Sequence, residues 1–375
     1  MINRIGIVGG GQLGRMLGFA AKRMGFSVVV IDPTPKSPAG QVVDKQILGG
    51  YSDVEATKKL AKLVDVITIE IEHINAETLL QLSRNGAVVH PAPETVAQIK
   101  NKFSQKEFLR KHHIPTADFR EITNETDIFK VSKMFGFPLV LKAKFDAFDG
   151  RGNAVIKNKK DVNTAMQKLK DKQLYVERFV PFTKELAVII ARSTTGELGL
   201  YPVVETIHKN NICHIVKAPA EIDQITAKKA QLLAKRVMRY IKGAGIFAIE
   251  MFLTKSGAVL VNEIAPRVHN SGHFTIEACM TDQFEQHVRA ISGLPLGKTD
   301  MVVPAAVMIN ILGERQGDIK TQGLEKALKI PGVSVHIYGK AETRPERKMG
   351  HITVIDETME KAYKKARLAR KYISV

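Results

Sequence analysis

Short apolar runs alternate with amphipathic stretches at the start of this chain. Ile5–Val8 and Val28–Ile31 are built largely from β-branched side chains, the composition of strands buried on both faces. Between them Leu13, Leu17, Ala20 and Ala21 recur at three- and four-residue spacing, which predicts a helix packed on a sheet. The alternation continues through Lys58–Leu63, Val64–Ile71, Ala76–Leu82 and Ala87–His90. It reads as a parallel α/β domain that Pro91 and Pro93 bring to an end.

The pattern then changes. A single helix is predicted over Val96–His113, stopped by Pro115. Strands at Leu139–Lys144 and Ala154–Lys157 flank a glycine-containing loop, Phe145–Asn153, and a helix follows over Asp161–Leu169. Tyr175–Phe179, Leu186–Arg192 and Leu200–Glu205 read as strands of an antiparallel sheet. Ala227–Lys242 is helical, a hairpin spans Gly245–Ile264, and Phe274–Ile291 is helical up to Gly293-Leu294-Pro295. Short strands at Ala305–Ile311, Val333–Tyr338 and His351–Ile355 precede a basic helix over Met359–Tyr372.

Composition narrows the partners. The chain has 375 residues, enough for two or three domains, and 44% are apolar, which excludes a disordered chain. With 56 Lys+Arg against 38 Asp+Glu the net charge is +18, which suits polyanions or phosphate-bearing metabolites. The basic residues are scattered, Trp is absent and aromatics make up 6%, so there are few platforms for stacking bases and nucleic acid is not the expected partner. No apolar run reaches the ~18–20 residues of a membrane span. The strand-like start lacks the order of a secretion signal, and two cysteines, Cys213 and Cys279, cannot build a disulfide framework. The expectation is a cytoplasmic protein that binds no membrane.

Gly9-Gly10-Gly11-Gln12-Leu13-Gly14 fits G-x-G-x-x-G between a strand and a helix, and Asp32 ends the next strand where a ribose-binding acid would sit. A helix N-terminus beside a tight backbone favours any anion, and close helix–strand packing alone needs the same glycines. Three readings stay open: a dinucleotide site, another phosphate site, or packing.

The hairpin carries sharper chemistry. A turn at Lys255-Ser256-Gly257 would set Glu250 opposite Glu263, where like charges weaken a sheet unless a proton, a basic group or a cation intervenes. Oxygen ligands with Asn262 alongside suit magnesium, which takes one or two carboxylates and completes its shell with water and phosphate. A register one residue different would put the two acids on opposite faces. Lys102 and Lys142 lie at element edges, and Asp149-Gly150-Arg151-Gly152 lies between two strands. Lysines with a glycine loop are what closing over a polyphosphate requires.

Lys142, the loop Asp149–Asn153, Glu177-Arg178-Phe179-Val180 with Glu185, and Asn262-Glu263-Ile264-Ala265-Pro266-Arg267 resemble the ATP-grasp superfamily. With Gly9–Met16 and His269–Ala278 added, the whole chain resembles the 5-(carboxyamino)imidazole ribonucleotide synthases of purine biosynthesis. The resemblance implies a mixed α/β and α+β architecture: a Rossmann-like parallel α/β domain over 1–95, a central ATP-grasp domain over 96–298 and a small α+β domain over 299–375. It implies a ligase that joins bicarbonate to 5-aminoimidazole ribonucleotide through carboxyphosphate, with ATP and Mg2+, working as a homodimer.

It also implies roles for residues. Lys102 and Lys142 would meet the ATP phosphates, with the loop Ala147, Phe148, Asp149, Gly150, Arg151, Gly152 and Asn153 closing over them. Glu177, Arg178, Phe179 and Val180 would form the adenine-reading hinge, Glu185 would take the ribose hydroxyls, and His208 would line the nucleotide site. Glu250 and Glu263 would carry magnesium beside Asn262. Asp149, Arg151 and Lys340 would handle bicarbonate and aminoimidazole, and Arg347 and Lys348 the ribonucleotide phosphate. Glu72, Arg267, His269 and His273 would line the acceptor pocket. The chain departs from the family pattern at Ala147-Phe148 (Gly-Tyr is usual), at Lys102 (usually Arg) and at Val268 (usually Pro). Two alternatives share parts of this pattern: another ATP-grasp enzyme, such as a formate-using glycinamide ribonucleotide transformylase or biotin carboxylase, and an NAD-dependent oxidoreductase or non-catalytic nucleotide-binding module.

Overall fold

A computed structural model describes residues 2–145 and 152–375, and three larger sheets organise them. Arg4–Val8 lies between Ser27–Asp32 and Val66–Ile69, with Lys45–Leu48 beyond Ser27–Asp32, all parallel. The helix Gln12–Arg23 buries Leu13, Met16, Leu17, Ala20 and Ala21, the face its spacing predicts.

The long helix expected over Val96–His113 is two helices, Pro93–Lys100 and Lys102–Lys111. Asn101 breaks it: its backbone is extended and its side chain accepts from the Phe103 and Ser104 amides. Asparagine is a strong N-cap, and here local capping prevails over a continuous apolar pattern. The new N-terminus sets Lys102 at the first helical position.

The second sheet is antiparallel, in the order Phe119–Ile122, Leu174–Arg178, Leu139–Ala143 and Asn153–Ile156. The sequence pattern had grouped the Tyr175 strand with Leu186–Arg192. Phe179, Val180 and Pro181 separate them, since a proline carries no N–H for a continuing ladder, and Phe182–Arg192 enters the third sheet.

That third sheet runs Val259–Ala265, Gly245–Thr254, Phe182–Arg192, Val204–Lys209, Ile212–Ala218, Ala305–Leu312, Lys348–Asp356 and Val333–Ile337, with Leu198–Leu200 pairing onto Phe182–Arg192. Ile212–Ala218 pairs with Ala305–Leu312, so the strands beyond residue 300 extend the central sheet. Lys348 and Glu250 thus belong to one continuous scaffold. The helix expected over Phe274–Ile291 is interrupted into Thr275–Ala278 and Gln283–Ile291. Cys279 bridges to Met301 and Asp282 caps the second piece.

Candidate active site

The hairpin brings Glu250 opposite Glu263, but not by the simple register. Near the turn Leu253 pairs with Val259 and Met251 with Val261, a register that would continue to Glu250 against Asn262. A bulge intervenes: Asn262 is the extra residue, and Glu250 pairs with Glu263. Bulges re-aim side chains in this way. Burial, and then the charge of Glu263, push the Glu250 carboxyl up to about 7. Lys102 forms an ion pair with Glu263, and His269 Nε2 lies 3.2 Å from Glu250 Oε1. Burial works against the Lys102 charge, but Glu263 and Glu72 outweigh it and hold its pKa above the usual lysine value.

Facing this hairpin, the second sheet presents Lys142, which pairs along its strand with Asn153. Lys142 Nζ stands 2.9 Å from Glu177 Oε2 and donates to Asn262 Oδ1 at 3.3 Å. Glu177 is buried, and Lys106 and Lys142 overcome its desolvation and hold its carboxyl below the usual range. Lys102, Lys106, Lys142, Asn153, Tyr175, Asn262 and Glu263 enclose a cavity of 50 Å³. A wider groove of 440 Å³, lined by Gln98, Phe108, Arg110 and His112 among others, lies by the Lys102–Lys111 helix apart from the carboxylate pair.

Arg178 turns away from Glu177, as alternation along a strand requires, to pair with Asp118 at 3.2 Å. Phe179 and Val180 follow the strand end, with the Phe179 amide bonded to the Pro138 carbonyl. Glu185 and His208 sit on neighbouring strands of the large sheet, with His208 Nδ1 3.0 Å from Glu185 Oε1. Burial opposes protonation of His208, but Glu185 and Glu250 prevail and raise its pKa.

Past the hairpin, Arg267 Nη2 lies 3.1 Å from Glu72 Oε1, tying the central sheet to the end of the parallel one. His269 is buried close to the cations Arg267 and Lys348, and its pKa falls well below the ordinary imidazole value. From the C-terminal segment Lys340 donates to the Lys348 carbonyl at 2.6 Å, and Arg347 donates to the Glu342 carbonyl at 2.7 Å. Beside this segment Gln41 Nε2 of the N-terminal unit donates to the Gly339 carbonyl at 2.6 Å, so the two units meet here. His273 does not reach that surface. It is wholly buried against Phe284 and His351 and backs the pocket wall instead of lining it. Ala147, Phe148, Asp149, Gly150 and Arg151 lie outside the described residues, while Gly152 accepts from the Ala143 amide.

The glycine loop is occupied by its own protein. Gly11 and Gly14 N–H groups donate to the two oxygens of Glu70 at 2.6 and 2.8 Å, and Gly10 N–H donates to Asp32 Oδ2 at 2.9 Å. A buried carboxylate stands where a pyrophosphate would, and Asp32 closes the loop and accepts from Tyr51 at 3.1 Å. Of the three readings of the motif, packing around an internal anion is the one the geometry supports. Glu70 escaped the sequence reading, although its place two residues before Glu72 at the end of a strand was a signal.

Family models match along nearly the whole chain: a ribonucleotide synthetase preATP-grasp domain over residues 2–101, an ATP-grasp domain over 107–284 and a phosphoribosylaminoimidazole carboxylase C-terminal domain over 306–365. The crystal structure of N5-carboxyaminoimidazole ribonucleotide synthetase from Thermotoga maritima is 49% identical, with a TM-score of 0.91 and 99% of each chain covered. This chain belongs to the N5-carboxyaminoimidazole ribonucleotide synthase family. Another member of that synthase family, from Aspergillus clavatus, was solved with ADP and 5-aminoimidazole ribonucleotide. It is 38% identical, with a TM-score of 0.92, and the match covers 99% of this chain and 98% of that one. The phosphoribosylaminoimidazole carboxylase of Ogataea methanolica is 46% identical over 95% of this chain, which spans 67% of the yeast protein's length.

Proposed function

We propose that this chain carboxylates 5-aminoimidazole ribonucleotide with bicarbonate, converting ATP to ADP and phosphate and yielding N5-carboxyaminoimidazole ribonucleotide. The observation that carries the reading is the Glu250–Glu263 pair, with Asn262 beside it, facing Lys102 and Lys142 across one cleft. The Aspergillus clavatus complex supports the choice of nucleotide and acceptor.

Magnesium fits the hairpin: two opposed carboxylates beside an amide oxygen, with burial and then the charge of Glu263 raising the Glu250 carboxyl to about 7, suit a divalent cation. Two carboxylates would leave the ion's other positions to phosphate oxygens and water. When bound, the ion supplies charge neutralisation for the phosphates. Glu250 and Glu263 would hold it, and Lys102 and Lys142, now on Glu263, Glu177 and Asn262, would neutralise the phosphates.

The hinge Glu177–Val180 offers backbone groups to adenine, and Glu185 offers two acceptor oxygens to ribose hydroxyls beside His208. Bicarbonate attacks the γ-phosphoryl group in line, displacing ADP and giving carboxyphosphate, whose carboxyl group passes to the aminoimidazole nitrogen as inorganic phosphate leaves; the loop from Ala147 to Asn153 excludes the water that would destroy it. Asp149, Arg151 and Lys340 serve bicarbonate and the aminoimidazole. Arg347 and Lys348 take the ribonucleotide phosphate, and Glu72, Arg267 and His269 shape the pocket that His273 supports from behind. The working form is a cytoplasmic homodimer. No helix among the described residues is long and apolar enough to cross a membrane.

Phosphate release with each substrate omitted in turn tests the reading. Turnover that needs ATP, bicarbonate and 5-aminoimidazole ribonucleotide together supports it. Turnover with formate or biotin in their place would transfer the chain to another ATP-grasp activity.

A further inference from the structure

Lys106 lies one helical turn beyond Lys102 on the helix Lys102–Lys111, on the same face. Its side chain is 2% exposed, which is rare for a lysine and demands compensation. Its ammonium stands 3.1 Å from Glu177 Oε1 and donates to Thr116 Oγ1 at 2.8 Å. Thr116 in turn donates to the Val261 carbonyl at 2.7 Å. The other Glu177 oxygen belongs to Lys142, which reaches Asn262, the neighbour of Val261. The contacts close a ring that joins the lysine-bearing sheet to the carboxylate-bearing hairpin.

We propose that Lys106 is a positioning residue for nucleotide binding, acting through Glu177 on Lys142 and through Thr116 on the Asn262–Glu263 strand. The inference rests on the proposed function and deepens it. Without Lys106 the whole charge of Glu177 would bear on Lys142 and draw its ammonium away from a phosphate. With Lys106, two lysines share one carboxylate, and Lys142 keeps net positive charge for the ligand. The threonine link fixes the interval between the two sheets at the point where the phosphates lie. The charged groups around Lys106 are Glu177 and Lys142 from the second sheet and Glu263 from the hairpin, with the Tyr175 hydroxyl facing Glu177.

The test compares Lys106→Met and Lys106→Arg with the unaltered protein, at a temperature where circular dichroism shows each folded. The readouts are the dissociation constant for ADP by calorimetry and the KM values for ATP and ribonucleotide. Lys106→Met is expected to weaken ADP and raise the KM for ATP about tenfold, a difference such binding assays resolve readily. The KM for the ribonucleotide stays within about twofold, and Lys106→Arg, which keeps the charge, recovers part of the loss. ADP binding as tight as in the unaltered protein, or an equal rise in both KM values, would overturn the role. If Lys106→Met does not fold, Thr116→Val serves: it keeps both lysines and cuts the link to Val261. Weakened ADP binding in that variant supports the proposal, and unchanged binding refutes it. Failure of the unaltered protein to bind ADP would instead refute the proposed function.

Discussion

Glu250 faces Glu263 because Asn262 is an extra residue in the second strand of their hairpin. The bulge places two carboxylates across from each other and leaves an amide side chain beside them, within reach of Lys142. The pair is unfavourable for the empty protein, since one acid keeps its proton to about pH 7. Two buried acids held opposite each other cost the sheet stability, which is the ground for proposing that they serve a cation.

Glu263→Gln removes one of the two charges. If Glu263 is a direct metal ligand, as proposed, its loss exceeds the 10–100-fold effect typical of outer-shell changes, so ATP turnover should fall by more than about 100-fold. The fold, checked by circular dichroism, should remain. Kinetics within a few fold of the unaltered protein would show that Glu263 holds no cation.

The proposed function gives Arg347 the ribonucleotide phosphate, which a guanidinium can grip with two parallel donors. Arg347→Ala should raise the KM for the ribonucleotide on the order of tenfold, as loss of a charge-assisted hydrogen bond does, with a far smaller effect on the KM for ATP. Equal effects on both would mean that Arg347 belongs to neither pocket in particular.

Glu70 tests the reading of the glycine loop. Glu70→Ala strands the Gly11 and Gly14 amides, and each buried unpaired donor costs about 1–3 kcal/mol, so the thermal midpoint should drop by several degrees. Binding of NAD to the unaltered protein, measured by calorimetry, should be absent. A nicotinamide nucleotide bound there would restore the reading that Glu70 displaces.

His287 couples the parallel sheet to the central one. Its Nδ1 accepts from the Ile246 amide at 3.0 Å, and its Nε2 meets Thr68 Oγ1 at 2.8 Å. Burial, and then the charge of His90, lower its pKa to about 3. Below about pH 6.5 the unfolded imidazole takes a proton that the folded one refuses, so stability is lost as pH falls from 6.5 towards 3. The drop in thermal midpoint between pH 7.5 and 5 should be smaller in His287→Gln. An identical drop would contradict the assignment, because the other buried imidazoles cancel in the comparison.

Period and composition made the parallel unit, the hairpin and the basic C-terminal helix legible from the chain. The failures have local causes. Asn101 caps a helix inside an unbroken apolar pattern, and Phe179-Val180-Pro181 moves the Tyr175 strand into a different sheet from its sequence neighbour. The opposition of Glu250 and Glu263 was inferred from a turn whose register, continued regularly, would have missed it by one residue. Lys106 was visible as the i+4 partner of Lys102, but no sequence rule separates a buried lysine from a solvated one.

The most direct measurement is a crystal grown with ADP and manganese and examined for anomalous scattering. The expected result is a metal peak within coordinating distance, roughly 2.1 Å, of oxygens of both Glu250 and Glu263, with Lys142 on a phosphate oxygen. A nucleotide bound with its metal elsewhere, and the two side chains still engaged with His269 and Lys102, would contradict it.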